Sequence, residues 1–285
     1  MGCGLLEVSG PAGAERQPAT NMESTAWTRQ PATRQFLLRC HRYWMYSESM
    51  LSEKPWRLTD FLAVMALLIT LLLLAVLANL LGMRGPTEAQ NPAAGFVVAT
   101  CLYGSILVLV HFRVQHHRTS WRAVFGFNSP RPLSALLMAM GVTLIILPVA
   151  WGLGILSTKL MGQFHVEAVP QQSVRMLQTG ISLGPEIFLA LLAIAIAPVT
   201  EELLFRGILY PFIKQQGYPK LALWGTSVLF GLLHLNLMTF LPLTFLGLVL
   251  AWLYETTDNL TAPILAHSLF NLANFFRAAM ENQPF

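Results

Sequence analysis

The sequence predicts an all-α protein, a polytopic bundle of about seven or eight transmembrane helices. Over half of its 285 residues are apolar and only 11% are charged, with positive mean hydropathy. That composition excludes an ordinary soluble domain. The apolar residues also fall in runs of membrane length, separated by Gly, Pro and charged clusters. Cys3, Cys40 and Cys101 are scattered, with neither metal-ligand spacing nor a pairing logic. Basic residues do not alternate with aromatics on a soluble module, so no nucleic-acid partner is expected.

Residues 1–56 read as a polar N-terminal tail, partly disordered or interfacial. Leu6 stands where a myristoylation signal needs Ser or Thr. No apolar run comes early enough for a secretory signal. Between Arg29 and Arg57, basic residues mix with Phe36, Tyr43, Trp44, Tyr46 and Trp56. The mixture suits a short helix on an anionic leaflet as well as it suits a loose tail.

Residues 57–130 hold two spans and a basic loop. Phe61 to Met83 is the first span, closed by Gly85-Pro86, and Ala93 to Phe112 the second. Arg113 to Arg131 reads as a solvated basic loop, with Trp121 and Phe125 as interfacial anchors. His116 and His117 diverge by about 100° on a helix, so they do not suggest a metal site.

Residues 131–285 form the core. Leu133 to about Leu156 is a third span with Pro148 inside it. A polar connection with a surface helix runs to Gly184. A fourth span opens at Pro185, and helices over Tyr218–Leu235, Thr239–Tyr254 and Leu260–Met280 follow. Lys and Arg concentrate in the tail, around Arg118 and around Lys214 and Lys220. That bias predicts an integral, multi-pass protein with a cytoplasmic N-terminus, in the plasma membrane if it is bacterial.

The fourth span contains Glu201 and Glu202 after a nearly unbroken apolar run from Ile187 to Ala197, with apolar residues again beyond Arg206. A carboxylate in such a run costs about 2.5–3.5 kcal/mol on insertion scales. Glu202 and Arg206 are four apart, hence on one helical face, and their pairing offsets part of that cost. Glu201 points about 100° away and is left to face a cavity. The plain alternative is that both carboxylates mark a helix end at the membrane surface.

Two more apolar runs carry polar groups. Phe230-x-x-x-His234 places a histidine in the fifth helix, and His267-x-x-x-Asn271 places a histidine and an asparagine on one face of the seventh. Asn236 and Asn274 are further candidates, equally explained as helix–helix hydrogen bonds. If the set converges, a carboxylate and a histidine can deprotonate water. A second histidine and an asparagine can stabilise an oxyanion. Alternatively, Glu201, His234 and His267 hold a divalent metal such as zinc that activates the water. The His-Glu-x-x-His pattern is absent.

Glu201-Glu202-x-x-x-Arg206, Phe230-x-x-x-His234 and His267-x-x-x-Asn271, in that order on successive helices, resemble the three motifs of the CPBP family. This is the CAAX-protease and bacteriocin-processing family, also called Abi, whose eukaryotic relatives are type II CAAX prenyl endopeptidases. The resemblance covers about residues 130 to 280. It implies an intramembrane endopeptidase in which Glu201 and His234 activate water, His267 and Asn271 stabilise the oxyanion, and Glu202 and Arg206 support Glu201. It implies a peptide or lipidated protein substrate within the bilayer. The family has also been treated as metal-dependent, but the residues here are short of ligands once Glu201 serves as base, so no obligate metal is expected. A non-catalytic membrane scaffold of the same fold is the competing expectation. A carboxylate-coupled transporter is a third, for which the inverted repeats are missing.

Overall fold

The computed structural model describes residues 51–80, 92–127, 132–178 and 182–280. Those residues are helical, with no strand among them. They belong to one compact unit, 48–285. The expected interfacial helix up to residue 50, Cys3, Cys40 and the Gly85-Pro86 boundary lie outside the described residues.

The first helices are α1 (Leu58–Leu80), α2 (Pro92–His116) and the short α3 (Trp121–Phe125). Asp60, in the first turn of α1, accepts from the Arg57 backbone N–H at 2.7 Å. Ser120 caps α3 by accepting from the Ala123 N–H at 3.2 Å. This region departs from the solvated loop expected after Phe112. Helix α2 continues to His116, and the His117 side chain is buried, its Nε2 lying 2.8 Å from Asp60 Oδ2. Val124 and Phe125 are buried too. A buried carboxylate in α1 needs a partner, and His117 supplies one.

The long α4 (Pro132–Gln163) contains Pro148 without being broken by it. The expected surface helix is α5 (Gln172–Gln178). The fourth span is one helical run, Leu183–Gln215, with a changing pitch. It comprises α6 (Leu183–Leu191), a first π turn (Leu192–Ile196), α7 (Ala197–Leu204), a second π turn (Phe205–Leu209) and α8 (Tyr210–Gln215). Pitch changes of this kind were not legible in the sequence.

Helix α9 (Pro219–Leu233) starts with Pro at its first position, where its missing N–H costs nothing. Asn236 caps α10 (Leu237–Thr257) by accepting from the Thr239 N–H at 3.1 Å. Its amide also donates to the Val169 carbonyl at 2.9 Å. That places Asn236 in a structural role. The last helix, α11 (Thr261–Met280), follows a turn at Asp258 in the left-handed region.

Among the described residues, four helical runs are long and apolar enough to cross a membrane: Val97–His116, Leu133–Gln163, Leu183–Gln215 and Leu237–Thr257. Leu58–Leu74 and Pro219–Leu233 are shorter apolar helices. This is an all-α membrane bundle. Helix α9 is short, and α11 exchanges hydropathy for His267, Asn271, Asn274 and Arg277.

Helix α10 sits centrally, packed on α4, α9 and α11, with Leu246, Leu250, Ala251, Leu253 and Tyr254 fully buried. Helices α1, α2 and α4 turn large apolar side chains such as Leu73, Val98, Phe112 and Leu144 outward, as a lipid-facing layer does. The α9–α10 contact depends on Gly247. A Cβ there would stand 3.0 Å from Cα and Cβ of Ser227. Close backbone approach through small residues is how membrane helices gain packing energy.

Before α1, the segment from Leu51 to Trp56 is packed inward rather than lying at an interface. Leu51, Lys54 and Trp56 are buried. Lys54 Nζ is 2.7 Å from Asp258 Oδ1, and Phe61 stacks on Phe212.

Gly247→Val should separate α9 from α10 and cost about 1–3 kcal/mol of stability, the usual penalty of overpacking. Thermal unfolding in detergent measures this as a lowered midpoint, and an unchanged midpoint contradicts the tight α9–α10 contact.

Candidate active site

Glu202 and Arg206 are both fully buried and form an ion pair across one helical turn, 2.7 Å between Oε1 and Nη1. The second guanidinium terminus, Nη2, donates to the Gly247 carbonyl at 2.8 Å. The flat face of the guanidinium lies over the Phe230 ring, 4.9 Å from its centroid. Three helical elements therefore solvate one buried cation: α7 with a carboxylate, α10 with a carbonyl and α9 with an aromatic face. Further hydrogen bonds offset the desolvation of a buried charge pair, although Glu202 Oε2 and Arg206 Nε themselves make none.

Glu202 has a further partner. His267 Nδ1 lies 3.0 Å from Glu202 Oε1. A carboxylate only accepts, so Nδ1 carries the hydrogen and the ring orientation is fixed. The opposite nitrogen, Nε2, then faces Glu201, 3.9 Å from Oε2. The Glu201 side chain is about one-fifth exposed, whereas that of Glu202 is not exposed at all. Adjacent carboxylates thus occupy different surroundings, one sealed and one open. The phenol of Tyr103, from α2, lies within electrostatic reach of Glu201.

His234 caps the C-terminus of α9 and lies at partial exposure. Its Nδ1 bonds to the Phe230 carbonyl at 2.8 Å. A carbonyl only accepts, so the neutral ring keeps its lone pair at Nε2. The Phe230 ring stands edge-on to both imidazoles, with centroids 5.0 Å from His234 and 5.6 Å from His267. The structure thus brings Phe230 against Arg206, His234 and His267, with Glu202 bound to Arg206 and His267 and Glu201 beside His267. The sequence reading quoted Phe230 as part of a motif and gave it no role. Tyr103 was missed altogether. Its being the one tyrosine of the Ala93–Phe112 span was the available signal.

Asn271, one turn beyond His267, donates from Nδ2 to the Ala193 carbonyl at 2.8 Å. Ala193 belongs to the first π turn. One amide hydrogen of Asn271 is thereby committed to the backbone and the other is left for a ligand. Asn274 donates to the Phe270 carbonyl at 2.9 Å and accepts from Trp151 Nε1 at 3.0 Å, which is helix–helix bonding.

Glu201, His234 and His267, the alternative metal-ligand set, do not gather as one. Among the described residues no three His, Cys, Asp or Glu side chains are placed to hold a metal ion.

Every residue of this site falls in the stretch that comparison with known proteins picks out. Residues 183–273 match the family model "Type II CAAX prenyl endopeptidase Rce1-like". This segment is similar to that family. Two Bacillus subtilis (strain 168) proteins are similar over short lengths. One, named "Putative membrane peptidase YdiL", is 32% identical over 89 residues, 31% of this chain and 35% of that protein. The other, named "Uncharacterized protein YpbD", is 34% identical over 91 residues, 30% of this chain and 42% of that protein. The chain therefore spans less than half the length of the curated relatives it matches. No solved structure matches it. Tyr103 and the segment before α1 lie outside the Rce1-like residues.

Glu202→Gln should reduce the fraction of folded protein, because it leaves Arg206 buried without its counter-charge. Removing one partner of a buried pair costs about 3–5 kcal/mol. Glu201→Gln, at the open carboxylate, should fold like the parent. Detergent melting curves of the two variants test this, and equal losses contradict the division between them.

Proposed function

We propose that this protein is an intramembrane endopeptidase that hydrolyses a peptide bond with water activated by Glu201. The observation that carries the reading is the contrast between the two adjacent carboxylates. Glu202 is sealed against Arg206, and Glu201 is partly open beside His267 Nε2. The Rce1-like match over residues 183–273 supports the same reaction class.

In the proposed sequence, Glu201 takes a proton from water as the water oxygen attacks the carbonyl carbon. His234, its Nε2 lone pair left free by the bond at Nδ1, shares in orienting that water. The carbonyl oxygen becomes an oxyanion, and the free amide hydrogen of Asn271 donates to it, together with the Nε2–H that His267 carries as an imidazolium while its Nδ1–H stays on Glu202. The C–N bond then breaks. The leaving nitrogen takes the proton held by Glu201, giving a carboxyl and an amine terminus. Glu202 and Arg206 do not touch the substrate. They hold His267 at the angle that presents Nε2 to Glu201.

The substrate we propose is a peptide or a lipidated C-terminus presented from the bilayer. The basic residues of the bundle also suggest a direction. Lys54, Arg57, Arg113, Arg118, Arg122, Lys214 and Lys220 cluster where α1 and α9 begin and α2 and α8 end. Lys159, Arg175 and Arg277 lie toward the opposite helix ends. The positive-inside rule places the richer end in the cytoplasm, and with it the start of α1.

The test is cleavage by purified protein in detergent of a peptide library with lipidated and plain C-termini. Wild type should cleave with chelator present. Glu201→Gln should lose about a thousandfold or more in rate, as removal of an essential general base does. Loss with chelator and recovery with added metal moves the site to metal catalysis. Equal cleavage by wild type and Glu201→Gln removes the proposal.

A further inference from the structure

The two π turns bracket the helix that bears the glutamates, and each offers a carbonyl to a side chain from far away in sequence. A π turn widens the helical ladder by a residue and is a common device at functional sites. At the first, Asn271 binds the Ala193 carbonyl. At the second, the Trp56 indole N–H donates to the Gly207 carbonyl at 2.5 Å, in a buried contact. Gly207 directly follows Arg206.

The surroundings of Trp56 leave this bond little freedom. Its ring lies against Phe125 and stands edge-on to His117, with centroids 6.1 and 5.7 Å away. Phe125 in turn packs onto Gly207, where an added Cβ would meet Phe125 Cε1 at 2.7 Å. The Phe125 carbonyl accepts from the Leu260 N–H at 2.9 Å. Lys54 binds Asp258 in the same turn before α11. The strap from Leu51 to Trp56 thus reaches both supports of the site. It touches the π turn next to Arg206 directly, and it touches the turn that launches the His267 helix.

We propose that Trp56 is a positioning residue for the candidate active site. Its N–H holds the Gly207 carbonyl and, through that turn, sets Arg206, the Glu202–His267 contact and the approach of Nε2 to Glu201. The functional half of this inference rests on the protease reading. The mechanical half does not.

The experiment replaces Trp56 with its benzothienyl isostere, introduced at that codon by nonsense suppression. Sulfur then stands where the N–H was, and the ring shape is kept. Trp56→Phe serves as a second variant. Amide exchange over Phe205–Tyr210 should speed up, and kcat should fall about tenfold, the scale of one buried hydrogen bond, with KM within about twofold of wild type. A loss confined to stability or KM, with kcat and exchange unchanged, overturns the inference. If wild type cleaves nothing, the protease reading fails. Amide exchange then decides the mechanical claim, and equal exchange in isostere and wild type overturns it.

Discussion

The buried Glu202–Arg206 pair constrains the rest of the molecule. Neither group could be afforded in a lipid-length apolar helix on its own. Other elements have to come close enough to share the buried charge. That requirement explains why α10 approaches through its Gly247 carbonyl, why α9 presents the face of Phe230, and why α11 brings His267 to the carboxylate. The helices of the core converge on the charge rather than merely on one another. The open carboxylate, Glu201, inherits its position from this arrangement because it is the next residue along.

Much of this was legible before the structure, for a physical reason. Burying ionisable groups in hydrocarbon is costly enough that Glu201, Glu202, Arg206, His234, His267 and Asn271 stand out against their apolar runs. Helical periodicity then places Glu202 with Arg206 and His267 with Asn271. Periodicity says less about partners on different helices. It could not place His267 Nε2 3.9 Å from Glu201 Oε2. The burial of His117 was also hidden, since a basic loop and a helix end capped by Asp60 have the same composition. So was the inward packing of Lys54 and Trp56, because aromatic and basic residues before a span describe an interfacial segment equally well.

The Rce1-like residues, 183–273, contain all the polar groups of the candidate site. The N-terminal helices contribute in a different way. Helix α2, which carries Tyr103, packs on α7, and α3 lays Phe125 against the turn after Arg206. The chemistry and the framework that aims it are thus separated in the sequence. The match describes the first of these and leaves the second to the rest of the chain.

The two π turns also change how the chain can be drawn. A wheel that advances by about 100° per residue assumes one uninterrupted α-helix. Each π turn amounts to one extra residue in such a helix, so the wheel slips by about 100° at Leu192–Ile196 and again at Phe205–Leu209. Side chains of α6 and α8 that share a drawn face with Glu201 point elsewhere in space. Lipid-facing and cavity-facing stripes assigned from the sequence hold only within the eight residues from Ala197 to Leu204. An alignment that gains or loses a residue in either wide turn would rotate Glu201 away from His267 while leaving the motif intact on paper.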